Sequence, residues 1–384
     1  MRRIIRALAL SDLHLGELET LLYNSEDDYN LIDRTIDKIN ELSEGDGTFD
    51  KGIEELILIG DIVELSEADE EEAYSNAKAF LVPLVDRIKP DKIVYIPGNH
   101  DHHLWVELLK AQQGVYKYKK CTPKVNTESS IKKKEIFIER CLPVDYPPEK
   151  VDIRYPNYLL AIDNAYYLFD HGHLFSTFLH FFHTKKAKTL TEAEEKSYKS
   201  MEWLWYRKNG NFLQRLLAYM REIFWDYLRR FVIYEIPYWL KRMVGGAFSE
   251  SSRHVTFRED CTPLLDDGLR EKILWYLEKI CGISSQIEKD FHFIFGHTHN
   301  GGRLLKEDRK IRLNERFITL WNTGGWIVPS EVFSPDAYIF YIKRSKTGTK
   351  PNLYKLASQR ENSNDEGDYP RVILEKRHKQ IGKV

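Results

Sequence analysis

Five short polar segments carry histidines, aspartates and an asparagine at spacings that could bind metal ions. They are Ser-Asp-Leu-His at 11–14, Gly-Asp at 60–61, Gly-Asn-His-Asp at 98–101, His-Gly-His at 171–173 and Gly-His-Thr-His at 296–299. The side chains that we predict as ligands are Asp12, His14, Asp61, Asn99, His171, His297 and His299. They offer carboxylate and amide oxygens and imidazole nitrogens but no thiolate, which suits manganese, iron or zinc better than calcium. The predicted chemistry is hydrolysis assisted by divalent metal ions.

Two such ions held close together would favour hydrolysis of a phosphoester bond. Ions about 3.5–4 Å apart clamp the attacking and leaving oxygens of an in-line displacement, and the water that bridges them becomes a hydroxide nucleophile near neutral pH. Asp61, alone on its loop, is the natural residue to bridge the two ions. His100 lies beside Asn99, so its imidazole could protonate the leaving group. We assign His100 and Asp101 to catalysis and predict that Asp101 holds the His100 ring in one tautomer.

Each polar segment follows an apolar run that predicts a buried strand. The runs are Ile4–Leu10, Leu56–Ile59, Lys92–Ile96, Tyr166–Phe169 and Phe291–Phe295. Ligands at the carboxyl ends of parallel strands meet at one edge of an open α/β sheet. Taken singly the segments are weak signals, because a Gly-Asp after an apolar run is usually a turn and a lone histidine is usually a surface residue. Their shared position after strands favours one metal site.

This set of motifs resembles the calcineurin-like metallophosphoesterase superfamily. The family pattern is Asp-x-His, Gly-Asp, Gly-Asn-His-Asp/Glu, His and Gly-His-x-His, and Asn322–Trp326 is similar to a stretch that often follows its last histidines. The resemblance implies two ligand sets that share one aspartate. One set comprises Asp12, His14, Asp61 and His299. The other comprises Asp61, Asn99, His171 and His297. It also implies a four-layer, two-sheet α/β sandwich and two divalent ions, with manganese expected first and iron, zinc, magnesium and nickel as alternatives.

Some motifs are similar to the UDP-2,3-diacylglucosamine pyrophosphohydrolase-like branch, which acts on a nucleotide-linked lipid and carries a helical insertion between the fourth and fifth motifs. These motifs are Ser-Asp-Leu-His-Leu, Gly-Asp-Ile-Val-Glu and Gly-His-Thr-His. The chain departs from that branch at His100, where the branch usually has arginine, and at His173, where it usually has aspartate. The departures favour a broader hydrolase of phosphomonoester, phosphodiester or pyrophosphate bonds.

The motifs divide the 384 residues into a core, an insertion and a tail. Alternating strands and helices near the amino terminus indicate a mainly parallel sheet covered by helices. We assign residues 1–173 and 256–345 to the core, 174–255 to an aromatic-rich helical insertion acting as a cap or an interface, and 346–384 to a polar C-terminal tail. Further predicted elements are helices over Asp28–Leu42, Glu70–Ile88 and Leu269–Ile280, and strands over Tyr155–Ile162, Ala165–Asp170, Ile318–Trp321 and Tyr338–Ile342.

The insertion is rich in aromatic and basic residues. Apolar side chains recur at helical spacing from 212 to 232, and residues 183–242 hold 13 Lys and Arg against 7 Asp and Glu. The simplest interpretation is a helical subdomain packed on the core or on a second subunit. Three alternatives are a cap whose aromatic wall receives an apolar substrate group, a helix lying on a membrane surface, and a surface that stacks on single-stranded nucleic acid.

Composition sets the expected compartment and partners. The net charge of −2 gives no general attraction to nucleic acid or to anionic membrane. Four scattered cysteines without a C-x-x-C pair predict reduced thiols, and no apolar run reaches the ~18 residues of a membrane span. We therefore expect a cytoplasmic protein, with peripheral membrane contact as an alternative. The expected partner is a phosphorylated small molecule or a nucleotide- or lipid-linked substrate, with nucleic acid or a homo-oligomer as alternatives.

The function that the sequence favours is a dinuclear-metal-dependent phosphoester hydrolase. A DNA or RNA nuclease of the same superfamily is the alternative from another substrate class, and it predicts strongly salt-dependent binding. A non-catalytic scaffold on the same fold is the least favoured interpretation, because every predicted ligand and His100 are present.

Overall fold

The structure is a computed structural model. It describes residues 2–18, 20–23, 31–65, 68–104, 138–176, 206, 210–220, 273–281, 290–297, 310–313, 316–327 and 337–356. Eleven strands lie in these ranges: β1 Arg3–Ser11, β2 Asp50–Ile59, β3 Lys92–Ile96, β4 Val151–Ile153, β5 Asn157–Ile162, β6 Ala165–Asp170, β7 Asp290–Phe295, β8 Lys310–Leu313, β9 Arg316–Asn322, β10 Tyr338–Ser345 and β11 Gly348–Lys355.

The strands form two sheets. The first has six strands in the order β11-β10-β1-β2-β3-β4, and the second has five in the order β5-β6-β7-β9-β8. Strands β1 to β4 are parallel, as are β6, β7 and β9, while β10, β11, β5 and β8 pair antiparallel with their neighbours. Since parallel strands end at the same edge, each sheet gathers the loops that follow its central strands.

Three apolar clusters give the molecule its layers. Between the two sheets lie small and branched side chains such as Ala9 and Ile59, opposite aromatic ones such as Phe169. On the outer face of the first sheet, helices α1 (Ile32–Leu42) and α2 (Glu70–Ile88) cover a second cluster. On the outer face of the second sheet, residues 273–281 cover a third. This is the predicted four-layer α/β sandwich.

Helix α2 begins and ends where its sequence predicts. Asp69 precedes it in extended conformation, and Glu70, Glu71 and Glu72 place negative charge on the first turn, which the helix dipole favours. Lys89 then adopts a left-handed conformation that ends the helix just before Pro90. Helix α1 was predicted from Asp28 but begins at Ile32, because Leu31 takes the N-cap position; residues 28–30 lie outside the described residues.

Strand β11 lies in the stretch 346–384 that was assigned to the polar tail. It pairs antiparallel with β10 through a tight turn at Lys346 and Thr347. The sequence hides this strand because its side chains are mostly polar and Pro351 interrupts it. Proline is tolerated there because β11 is an edge strand, where one side of the backbone has no ladder to join. The tail beyond Leu356 lies outside the described residues.

The predicted insertion lies mostly outside the described residues. Residues 212–220 are helical, and their start carries a reciprocal cap: Gln214 N–H donates to Asn211 Oδ1, and Asn211 N–H donates to Gln214 Oε1. Phe212, Leu213 and Tyr219 on this helix are exposed. No helix among the described residues is long and apolar enough to cross a membrane. Cys141 and Cys281, the two cysteines in the described ranges, are free thiols.

Candidate metal centre

The structure brings six of the seven predicted ligands to one edge of the two sheets. They follow the carboxyl ends of five strands: Asp12 and His14 after β1, Asp61 after β2, Asn99 after β3, His171 after β6 and His297 after β7. Backbone bonds join the loops to one another. Asp12 N–H donates to the Gly60 carbonyl at 3.1 Å, and Gly296 N–H donates to the His171 carbonyl at 3.2 Å. The seventh ligand, His299, lies outside the described residues.

His171 is at the centre of one ligand cluster. Its Nδ1 lies 3.2 Å from the Ile59 carbonyl, which can only accept a hydrogen bond, so the neutral ring carries its proton on Nδ1 and its lone pair on Nε2. That Nε2 lies 3.2 Å from Asp61 Oδ2, 3.1 Å from Asn99 Oδ1 and 3.2 Å from His297 Nδ1. Four atoms that can each present a lone pair thus face one another in a buried space.

A divalent ion fits this cluster. Oxygen and nitrogen ligands bind such ions at about 2.0–2.2 Å, which places neighbouring ligand atoms roughly 3 Å apart. The observed separations of 3.1–3.2 Å agree with that expectation. Asp61, His171 and His297 form one of the groups whose ligand atoms all lie within 4.8 Å of one another.

A second cluster shares Asp61 with the first. Asp12, His14 and Asp61 also have ligand atoms within 4.8 Å of one another, and His14 Nε2 lies 3.8 Å from Asp61 Oδ2. The same oxygen of Asp61 therefore faces a histidine of each cluster. Its other oxygen accepts the backbone N–H of His100 at 2.7 Å, which fixes the carboxylate between the two.

Four of these ligand residues have backbone torsions that most residues avoid. Asp12, His14, Asp61 and His297 have φ angles of 50°, 44°, 51° and 63°. A left-handed conformation costs a residue with a Cβ atom about 1–2 kcal/mol, and such strain collects at functional sites. Among the six non-glycine residues with positive φ in the described part of the chain, these four are candidate ligands.

Two motif positions require glycine because the backbone there passes close to a candidate ligand side chain. A Cβ on Gly60, whose φ is 62°, would lie 2.5 Å from Cγ of His171. A Cβ on Gly98 would lie 2.3 Å from Oδ1 of Asp61. Both distances are well inside van der Waals contact, so the glycines let the backbone pack directly against the ligands.

Glu64 is the site residue that the sequence analysis missed. Its carboxylate is fully buried and contacts two rings: Oε2 lies 2.6 Å from His14 Nδ1, and Oε1 lies 3.1 Å from His100 Nδ1. Because His14 uses Nδ1 for Glu64 and turns Nε2 toward Asp61, Glu64 orients a ligand rather than acting as one. The available signal was an acidic residue inside an otherwise apolar run, three positions after Asp61.

The predicted role of Asp101 is wrong, because its carboxylate binds elsewhere. Oδ1 accepts the Gly98 N–H at 2.6 Å, and Oδ2 accepts the Ile62 N–H at 2.9 Å and the Tyr95 hydroxyl at 2.5 Å. These bonds hold the loop after β3 in shape. The residue that orients the His100 ring is Glu64.

The electrostatics of the site favour cations. Burial alone would lower the pKa of His171, but the charge of Asp61 outweighs burial and raises it to about 9. Burial likewise opposes protonation of His100, yet Glu64 and then Asp61 raise its pKa to about 10. Burial would raise the pKa of Asp61, but the neighbouring His171 and His100 hold it well below its usual range. The carboxylates thus impose a negative potential that divalent ions would neutralise.

The segment Asn322–Trp326 supports the Asp12 loop. Trp326 is fully buried. Its backbone N–H donates to the Asp12 carbonyl, and its backbone carbonyl accepts the Leu21 N–H. The hydroxyls of Thr323 and Ser11 lie 2.5 Å apart. This segment, which resembles a stretch of the family pattern, therefore stabilises the loop that carries Asp12 and His14.

A two-sheet α/β sandwich with histidine and carboxylate side chains gathered at one edge is typical of metal-binding phosphoesterases. The profile of the calcineurin-like phosphoesterase family matches residues 5–223, which is more than half of the chain, so the chain belongs to that family. Membership supports hydrolysis of a phosphoester as its activity. The likeness to the pyrophosphohydrolase-like branch rests on the motifs alone.

Comparison with other proteins adds little detail. No curated protein gives a significant match. Among solved structures, a conserved uncharacterized protein from Streptococcus pneumoniae TIGR4, described as a predicted phosphoesterase, is 11% identical, with 92% of this chain and 91% of that chain covered and a TM-score of 0.27. A single mutant of Vps29 from Entamoeba histolytica is 8% identical, with 91% and 98% covered and a TM-score of 0.27.

Proposed function

We propose that the protein is a dinuclear-metal-dependent hydrolase of phosphoester bonds. The observation that carries this proposal is the arrangement around Asp61, whose Oδ2 faces His171 of one cluster and His14 of the other. When bound, the ions would polarise the phosphoester and lower the pKa of a water that they share. The family resemblance adds His299 to the ligand set of Asp12, His14 and Asp61, and manganese is the ion that we expect first.

His100 is the proposed general acid. It follows the ligand Asn99, so it lies at the rim of the cluster, where its side chain is 13% exposed. Glu64 contacts its Nδ1, which leaves Nε2 as the nitrogen that would give a proton to the leaving oxygen. The buried carboxylate also fixes the ring orientation, as a general acid requires.

The proposed substrate class is a small phosphorylated molecule, with a nucleotide or a lipid-linked nucleotide as the narrower proposal. The supporting feature is the insertion, whose described helix exposes Phe212, Leu213 and Met220 and could meet an apolar substrate group or a membrane surface. A nuclease activity remains the alternative. Cleavage of a single-stranded oligonucleotide, falling steeply as salt is raised, would favour that alternative.

Hydrolysis of two aryl phosphates tests the proposed function. Bis-p-nitrophenyl phosphate and p-nitrophenyl phosphate are incubated with Mn²⁺ or with a chelator, using wild type, Asp61→Asn and the control Asp37→Asn. Asp37 is an exposed carboxylate on α1, so its variant removes a charge away from the site. We expect metal-dependent turnover in wild type and Asp37→Asn, and none in Asp61→Asn. Cleavage of the diester indicates a phosphodiesterase, and cleavage of the monoester alone indicates a phosphatase.

Turnover that persists in the chelator, or that survives Asp61→Asn, would contradict the proposal. The same holds for a wild-type protein that binds Mn²⁺ yet hydrolyses neither aryl phosphate nor any nucleotide or pyrophosphate offered to it, since that behaviour is expected of a scaffold.

A further inference from the structure

Residues before and after the insertion lie in one apolar cluster, next to the strand that leads to His171. Leu174, three residues after this ligand, is buried in the cluster on the outer face of the second sheet. Ile273 and Leu277, in the described range 273–281, are buried in the same cluster. Residues 273–281 thus pack on the strand end that carries the ligand.

Asp170 connects the ligand loop to this returning segment. It is the last residue of β6, immediately before His171, and its side chain is buried. Its Oδ1 accepts the N–H of Gly172 at 2.7 Å, which closes the backbone around His171. Its Oδ2 accepts the hydroxyl of Tyr276 at 2.5 Å, which comes from the returning segment.

Contacts within residues 273–281 and with Asn157 on β5 fix the position of Tyr276. It is fully buried and begins a π-helical turn, Tyr276–Ile280, in which Cys281 N–H donates to the Tyr276 carbonyl at 3.0 Å. Asn157, which pairs with Asp170 across β5 and β6, places Nδ2 3.4 Å from the Tyr276 hydroxyl. Short π-helical turns often occur at functional positions. The hydroxyl therefore reaches Asp170 from a fixed position.

We propose that Asp170 and Tyr276 are positioning residues for His171, and that they couple the affinity of the ion held by His171 to docking of residues 273–281. The inference rests on the proposed metal centre. Removing the hydroxyl leaves a buried carboxylate oxygen without its donor. Asp170 then shifts, and because it adjoins His171 and bonds Gly172, the ligand backbone shifts with it. Ligand distances tolerate only about 0.2 Å, so a small displacement weakens binding.

Titration of metal-free protein with Mn²⁺ alone tests the pair without any turnover. Tyr276→Phe keeps the buried ring and removes only the hydroxyl. We expect it to weaken one of two Mn²⁺ binding events by about 10-fold, the usual scale for groups that orient ligands, and to leave the other within about 2-fold. Tyr158→Phe is the matched control. Tyr158 also donates to a buried carboxylate, Glu55, six residues before Asp61 on β2, and its variant should change neither event.

A second pair of variants keeps the test decisive if Tyr276→Phe does not fold. Asp170→Ala removes both acceptors and should weaken the same event at least as much. Asp170→Asn should restore part of the affinity, because its amide can accept from Gly172 and donate to the Tyr276 hydroxyl. A residue with only a packing role would show no such recovery in the affinity of a single ion.

Coupling is reciprocal, so Mn²⁺ should in turn protect the backbone amides of residues 273–281 from hydrogen exchange in wild type and not in Tyr276→Phe. Equal changes in both binding events, or no change in either, would overturn the inference. A wild type that binds two Mn²⁺ ions without hydrolysing any phosphoester would contradict the proposed function while leaving the outcome of this test valid.

Discussion

The ligand loops after β3 and β6 are built on the same plan but draw on different parts of the chain. Each is held by a buried aspartate that accepts a tyrosine hydroxyl at 2.5 Å: Asp101 within the first loop, and Asp170 at the end of β6 just before the second. Asp101 bonds Tyr95, six residues earlier on the adjoining strand. Asp170 bonds Tyr276, 106 residues later. The first loop can therefore form from contacts with β3 and with the loop after β2, whereas the second is complete only when residues 273–281 are in place.

The two loops also differ in how firmly the aspartate is held. Asp101 accepts two backbone N–H groups besides the hydroxyl, whereas Asp170 accepts one. Loss of a tyrosine hydroxyl should matter more where fewer donors remain. The comparison teaches that the β3 loop is held by β3 and by the loop after β2, whereas the β6 loop depends on residues 273–281.

The largest expected effect separates what the two loops supply. His171→Ala removes a ligand of the β6 loop and should lose one ion together with turnover, a fall of about 10³-fold or more, as when a principal electrostatic group is removed.

His100→Ala removes the proposed acid of the β3 loop and should keep both ions, slowing cleavage by about 10²–10⁴-fold, most for poor leaving groups. Metal analysis beside kcat distinguishes them. If His100→Ala leaves every substrate unaffected, the acid assignment is wrong.

A smaller effect is expected at Glu64, which links the candidate ligand His14 to the proposed acid His100. Glu64→Gln keeps the size of the side chain but weakens its bonds to His14 and His100 by removing the charge. We expect kcat/KM to fall by about 10–100-fold. Glu71→Gln, at an exposed position in the first turn of α2, is the control. Unchanged kinetics in Glu64→Gln would show that the rings hold their orientation without the carboxylate.

A change in the backbone of the β3 loop should act through Asp61. In Gly98→Ala the new methyl group would overlap Asp61 Oδ1, so the bridging carboxylate must move. We expect about a 10-fold loss in affinity for Mn²⁺, by the same reasoning as for other groups that position ligands. Calorimetric titration measures it, and wild-type affinity in this variant would mean that the loop relaxes without disturbing Asp61.

The smallest effect on the metal is expected from Tyr95→Phe. Asp101 keeps two backbone donors, so Mn²⁺ affinity should stay within about 2-fold, while the free energy of unfolding falls by about 1–2 kcal/mol for the lost buried bond. Urea unfolding and Mn²⁺ titration, set beside Tyr276→Phe, measure both quantities. If Tyr95→Phe weakens an ion as much as Tyr276→Phe does, the proposed difference between the loops fails.

The sequence predicts the parts of this protein that follow local rules. The grouping of candidate ligands such as Asp61 and His171 could be predicted because each follows an apolar strand, and strand ends converge at a sheet edge. Helix α2 could be bounded by its acidic first turn and by Pro90. These signals are read within a few residues of the feature that they predict.

What could not be predicted depends on contacts between distant segments. The partner of His100 is Glu64 rather than the adjacent Asp101, because side-chain direction in a tight loop is set by the neighbouring loop. Strand β11 is polar and becomes a strand only through the edge offered by β10. The Tyr276 hydroxyl reaches Asp170 across the whole insertion, and no local pattern marks that pairing.

The left-handed backbone of the ligand loops restricts which amino acids could ever replace the ligands. At Asp12, His14, Asp61 and His297 a β-branched side chain would be strongly disfavoured, whatever its chemistry. Aspartate, asparagine and histidine are the non-glycine residues most often found in that conformation, and they are also good donors to divalent ions. The residue at each of these positions thus meets two requirements, a donor atom for a metal ion and tolerance of a positive φ. An engineer who wishes to change the metal must therefore choose from a short list of residues, or rebuild the loops first.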